Sequence, residues 1–288
     1  YIICLSWKLW WKIMSISFSL KKNIKMSSLT FRCKIKDKYR LDMSWLSKIN
    51  TSDLYLIKKI KINYGNKLYK LTELFSVTGN NFRDIKINNS YNKLDNIGNN
   101  LTCKKITING SVGNGLARNM NDGKIILKGD AERNACSGMK GGSVFIYGNT
   151  GDGLCSLPTG KNLGLVDGFV YVQKNVGVNS IIRMRRGNVV IGGIIGNGSC
   201  LELISGTVTI LGKIGDDFCN NARRGTLFIK DKSITKNYII ANNTDLTFYN
   251  FYRININKLI NKQLIKTYIP KRFFGTKSDK KLVELFLL

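Results

Sequence analysis

The chain contains no histidine in 288 residues. That removes imidazole general bases, histidine-based triads and histidine metal ligands from its chemistry. Proline occurs only at Pro158 and Pro270, which excludes collagen-like and polyproline designs. Acidic side chains are scarce, 18 against 46 Lys and Arg, for a net charge of +28. No two of the seven cysteines form a C-x-x-C pair, and their number is odd. Neither a disulfide framework nor a thiolate metal site is expected, and a reducing, cytoplasmic setting fits. What is present in quantity is apolar side chain, 43% of the chain with 10% aromatic, and 28 glycines. That is enough for a sizeable core and excludes a disordered tail protein.

The charge points to no single partner. It divides into +13 over residues 1–100, +7 over 101–231 and +8 over 232–288, and comes with the Lys, Asn and Ile that an AT-rich coding sequence imposes. No aromatic-interleaved basic face or nucleic-acid motif accompanies it, so nucleic acid is not expected as a partner. Residues 1–25 are apolar but interrupted by Lys8 and Lys12. They make no clean spanning helix, and the reading is an extension outside the fold rather than a membrane anchor.

A 19-residue repeat dominates the middle of the chain. Glycines at 123, 142, 168, 187, 206 and 225 open similar segments, with one step of 26 residues among steps of 19. Ile106, Ile125, Val144, Val170, Val189, Val208 and Leu227 share one slot; Ile108, Leu127, Ile146, Val172, Ile191, Ile210 and Ile229 share the slot two residues on. Such alternation of β-branched residues predicts half-buried strands of five or six residues ended by glycine turns. A further slot holds Ala117, Cys136, Cys155, Ile181, Cys200 and Cys219, so four cysteines are expected to stack inward as small hydrophobes rather than to react or bind metal.

One such unit cannot bury its own apolar face, so the units must stack. The expected fold is all-β: a right-handed parallel β-helix of about seven 19-residue coils over residues 101–231. Residues 26–100 and 232–288 are expected to cap its open ends, because bare strand edges invite aggregation. The 26-residue step places an insertion at 156–164, which projects as a surface loop.

The coils resemble those of the glycine-repeat subunit of formylmethanofuran dehydrogenase, especially the bacterial form in the formyltransferase/hydrolase complex of methylotrophs. The matching stretches run from Met120 to Gly129 (MNDGKIILKG), Met139 to Gly148 (MKGGSVFIYG) and Arg183 to Gly193 (RMRRGNVVIGG). The insertion LPTGKNLG, the upstream LDMSWL and LTELFSVTG, and more loosely the downstream KRFFGTKSD also resemble that family. Lys104, Glu132 and Lys174 stand where the repeat calls for glycine. The resemblance implies a structural subunit in one-carbon metabolism, within a complex that passes a formyl group from formyl-tetrahydromethanopterin to methanofuran and releases formate. It implies that other subunits carry the chemistry, with methanofuran and, in archaeal relatives, a molybdenum or tungsten pterin bound by those subunits. This chain is then expected to hold no catalytic, cofactor-binding or metal-binding residues. The same repeat ends the large subunit of glutamate synthase, so a β-helix domain of that kind, or a basic surface-binding module, is the alternative.

One surface feature goes further. Arg183, Arg185, Arg186, Arg223 and Arg224 recur at one corner, 185 and 186 mapping onto 223 and 224 after two periods. Stacking is expected to align them into a ridge suited to carboxylates, either on an acidic face of a partner subunit or on the glutamyl tail that methanofuran carries in that family. Asp152, Asp167, Asp216 and Asp217 fall at turns, where Asp usually serves the backbone.

Overall fold

The structure, a computed structural model, describes residues 26–35, 39–241, 246–266, 269–276 and 282–288; the reading of residues 1–25 lies outside them. One 13-stranded sheet organises the chain. Its strands are β1 (Ser28–Cys33), β2 (Phe75–Thr78), β3 (Asn81–Ser90), β4 (Lys105–Gly110), β5 (Lys124–Leu127), β6 (Ser143–Ile146), β7 (Phe169–Val172), β8 (Asn188–Ile191), β9 (Thr207–Ile210), β10 (Arg224–Ile229), β11 (Tyr238–Ile240), β12 (Lys271–Thr276) and β13 (Leu282–Leu287). In space they run β11-β12-β13-β10-β9-β8-β7-β6-β5-β4-β3-β1-β2. From β3 to β10 every neighbour is parallel and sequential. Among the described residues the fold is all-β with one substantial helix, α1 (Thr247–Ile260).

The repeat fixes the register of that parallel run. Ile106, Ile125, Val144, Val170, Val189, Val208 and Leu227 pair in succession from strand to strand. The 26-residue step keeps the same register as the 19-residue steps, so the insertion lies outside the ladder. A second row of bridges links Val112, Ala131, Thr150, Val176, Ile195 and Ile214. Between the two rows the side chains of both strand slots and of the Ala/Cys/Ile slot are buried. Each unit therefore contributes one rung to a continuous aliphatic and sulfur-lined core, which no unit could form alone.

Polar corners are tied from unit to unit by short side chains. Asp95, Asn114, Asp152 and Asn197 each accept the backbone N–H of Asn114, Arg133, Val178 and Asp216 in the following unit. A second ladder runs through Asp130, Asn149 and Asn175 to Asn149, Asn175 and Ile194. Each bond satisfies a donor that the turn would leave unpaired, and contributes on the order of 1 kcal/mol. A left-handed slot alternates Asn96, Gly115, Asn134, Gly153, Asn179, Gly198 and ends at Asp217. The alternation has a packing reason: a Cβ on Gly115, Gly153 or Gly198 would strike Oδ1 of the Asn one unit below.

β4 and β5 are half-buried as expected, but from β6 to β10 the strands are buried on both faces. The slot between the two inward ones is apolar in five of seven units, with threonine at Thr107 and Thr209, and Phe145, Tyr171, Val190, Thr209 and Phe228 are buried on the outward face. Helix α1 covers them with Tyr249, Tyr252, Ile256 and Ile260, aided by Ile265 and Phe286. Phe228 lies 4.5 Å from the Tyr252 ring at 10° and 5.0 Å from Phe286 at 19°. Tyr252 and Thr209 hydroxyls meet at 2.9 Å inside this second core. A parallel sheet covered on both faces reads as a continuous apolar run instead of an alternation. Residues 232–288 thus line a side of the sheet with α1 and extend its end with β11, β12 and β13.

The N-terminal region attaches where the repeat loses its glycines. Lys104 donates through Nζ to the carbonyl oxygens of Ser47 and Ile49, clamping the 3-10 turn Ser44–Lys48. Burial holds its ammonium below the ordinary lysine range. Glu132 joins Asp95 in binding the Arg40 guanidinium, both at 2.7 Å. Lys174 keeps the corner through its backbone, Lys174 N–H donating to Gly148 and Gly193 N–H donating to Lys174.

Candidate functional site

The insertion and the arginine corner form one surface. Gly164 N–H donates to the Arg183 carbonyl, and Arg185 N–H donates to Leu165, so the downstream end of the loop is bonded to the arginine segment. The loop tip Thr159–Asn162 is exposed while Pro158 is buried, packed where a Cβ on Gly138 would sit. Beside it lies a groove of about 470 Å³ lined by Asn100, Asn119, Lys140, Lys161, Asn162 and Val166 among others. Among the described residues no acidic side chain lines it.

The predicted arginines divide. Arg185, Arg186, Arg223 and Arg224 are exposed at the strand-entry corner. Ile204 and Ser205 occupy the intervening unit, so two arginine pairs stand about 10 Å apart, two strand spacings, rather than as an unbroken ridge. Arg183 does not join them. Its backbone is left-handed at φ 53°, and its side chain meets Glu202 at 3.5 Å. Arg224 opens β10 and borders a shallow depression with Arg272 and Glu284, which pair at 2.7 Å. The sequence reading missed Lys140 and Lys161. Lys140 shares its slot with Val166, Arg185, Ile204 and Arg223, so the period itself carries that signal.

The acidic side chains serve the fold. Asp95, Asp130 and Asp152 hold the corner ladders, Asp167 accepts from Gly168 N–H, and Asp217 accepts from the Asn220 amide. The N–H of Ser233 holds the Asp231 carboxyl below its ordinary range. The thiols of Cys155 and Cys200 are pushed well up by burial, which keeps them protonated and unreactive at neutral pH. Cys103 is exposed and directs Sγ at Asp122 Oδ2, 3.5 Å away. Among the described residues, no group of three or more His, Cys, Asp or Glu is placed to hold a metal ion, and no helix is long and apolar enough to cross a membrane. The arrangement presents cations and amides over a rigid sheet, which suits the binding of carboxylates.

A family described as the GXGXG motif matches residues 85–286. Among solved structures, the chain is similar to one in the crystal structure of the formyltransferase/hydrolase complex from Methylorubrum extorquens in complex with methylofuran. The TM-score is 0.76 at 23% identity, over 90% of this chain and 98% of that one. No curated protein matches the sequence.

Proposed function

The chain belongs to the GXGXG motif family, and on that premise we propose that it is a structural subunit of a formyltransferase/hydrolase-type complex of one-carbon metabolism, the counterpart of the glycine-repeat subunit. The observation that carries this is coverage. The likeness takes in 98% of the neighbouring chain and 90% of this one, flanks included, whereas a glutamate-synthase-type domain would account for the repeat alone. In this reading residues 101–231 form a right-handed parallel β-helix of about seven coils, and residues 26–100 and 232–288 cap and cover it. The chain works in the cytoplasm as a scaffold. Its partners carry the transfer of the formyl group from formyl-tetrahydromethanopterin to methanofuran and the release of formate. Arg185, Arg186, Arg223 and Arg224, with Lys140 and Lys161, face carboxylates of a partner subunit.

Co-expression of the tagged chain with the three other subunit types of such a complex tests the proposal. The expected result is stable co-purification, with formyl transfer and hydrolysis by the assembly and none by the chain alone. A complex that assembles and turns over equally well without the chain would remove it. Arg185→Ala with Arg186→Ala is expected to change stability by less than about 0.5 kcal/mol, since both side chains are exposed. The same pair is expected to slow association, and to do so less at high salt. Unaltered assembly and turnover would take the arginines out of the interface.

A further inference from the structure

The two ends of the 13-stranded sheet are unlike. At one end the edge strand β2 buries Phe75 and Val77 and exposes Thr78. At the other end the edge strand β11 exposes Ile239 by 53% and Ile240 by 66%, beside Ile269 at 77%. Strand β11 pairs with β12 on one side. Ala241 N–H donates back to Arg272 O, so antiparallel alternation turns the N–H and C=O of Ile240 away from β12. Among the described residues no further strand meets them. Along this edge runs a groove of about 780 Å³, with Ile239, Ile240 and Ile269 on its apolar side and Lys232, Lys236 and Lys271 around them. Among the described residues no acidic side chain lines it.

A strand edge that no described strand pairs, with exposed isoleucines, is a template for pairing, and lysines on such an edge normally discourage it. Here the lysines also choose the occupant. A second copy of this chain would bring its own lysines against them and a net charge of +28 against +28, which disfavours self-pairing. A strand carrying Asp or Glu meets the opposite situation.

We propose that β11 is completed by an extended segment of a partner subunit that carries both apolar and acidic side chains. That segment adds a fourteenth strand by main-chain bonds to Ile240. Its apolar side chains cover Ile240 and Ile269, and its carboxylates face Lys232, Lys236 and Lys271. This inference rests on the complex-subunit reading.

The test compares the purified chain with the assembled complex. Two variants are used: Ile240→Pro, which removes the outward donor without touching the bond from Ala241, and Lys232→Glu/Lys236→Glu/Lys271→Glu. Both are first matched to the parent in thermal melting, and if the proline variant fails to fold, the charge-reversed one decides. Expected are slowed hydrogen exchange at Ile240 on assembly and at least about tenfold weaker association for each variant. A parent that assembles while the variants assemble equally, with Ile240 exchange unchanged, overturns the edge and leaves the subunit reading standing. Slow exchange at Ile240 in the isolated chain, with dimers in sedimentation, overturns it in favour of a second copy. A parent that joins no complex overturns both.

Discussion

The two faces of the long sheet are built by different means. Its inner face is filled by the repeat itself: Val189, Ile191 and their equivalents in every unit, with Cys136, Cys155, Cys200 and Cys219 across from them, all at or near zero exposure. Its outer face is filled by residues the repeat does not standardise, Phe145, Tyr171, Val190 and Phe228, and is sealed by the non-repeating helix α1. A repeating sequence can specify a repeating interior because each rung meets a copy of itself. It cannot specify a one-sided cover, so the outer face depends on a segment that lies outside the period. That cover is local. It reaches the strands that carry large outward residues, whereas the inner core runs the length of the parallel strand ladder.

The comparison can be broken from either side, and the inner face should respond most. Val189 lies between Val170 and Val208 in the ladder with no exposure. Val189→Asp would bury a carboxylate without a partner, so a loss of more than about 4 kcal/mol is expected. The protein should then fail to unfold cooperatively in urea. A variant that melts with the parent would show that the inner face is not close-packed.

On the outer face, Phe228→Ala removes the ring that stacks on both Tyr252 and Phe286. The expected cost is about 3–5 kcal/mol. Its location matters more than its size. Hydrogen exchange should accelerate through α1 and leave β5 to β8 protected, because those strands keep their inner rungs. Equal acceleration in β5 to β8 would mean that the two cores are one cooperative unit.

This difference also explains what could be read from the sequence. The 19-residue period alone predicted the register, the neutrality of the insertion and the inward cysteines. The outer face escaped because attention to the two inward slots reads VFI at 144–146 and LFI at 227–229 as alternation. Their middle residues are as apolar as their neighbours, which is the mark of a strand covered on both sides. The cover itself, α1, shares no period with anything it touches. The left-handed corner has a sequence signal that the reading of the repeat did not use, the Asn/Gly/Asp slot from Asn96 to Asp217, since those residues tolerate positive φ. It was not legible two residues on, where Cys136, Cys155, Cys200 and even Ile181 adopt φ of 55–59°. Burial of those side chains offsets a conformation they would otherwise avoid. Arg183 was grouped with Arg185 and Arg186 by proximity in sequence, but its left-handed backbone belongs to the slot of Asn119 and Glu202. For the surface, the period indicated which cations share a corner and gave no means of seeing the edge strand β11, which lies beyond the last repeat.

The mildest test concerns the sulfur rung of the inner face. Ala117 occupies the same slot as Cys155 and Cys200, so Cys155→Ala/Cys200→Ala keeps the fold and removes two buried sulfurs, at roughly 1 kcal/mol each near neutral pH. The pH dependence separates lost packing from lost titration. Burial raises both thiols well above the ordinary value of 9.0. A group raised in the folded state contributes its full stability below its unfolded value and loses it as the pH climbs toward the folded one. The unfolded chain begins to ionise its thiols near pH 9 while the folded chain cannot, so the parent should lose stability with rising pH faster than the alanine variant. Their difference, measured by urea titration, should therefore shrink between about pH 8 and pH 10. Tyr252, also raised by burial, is present in both proteins and cancels. Parallel curves across that range would mean that water reaches the rung, and that the inner face is less sealed than the outer one.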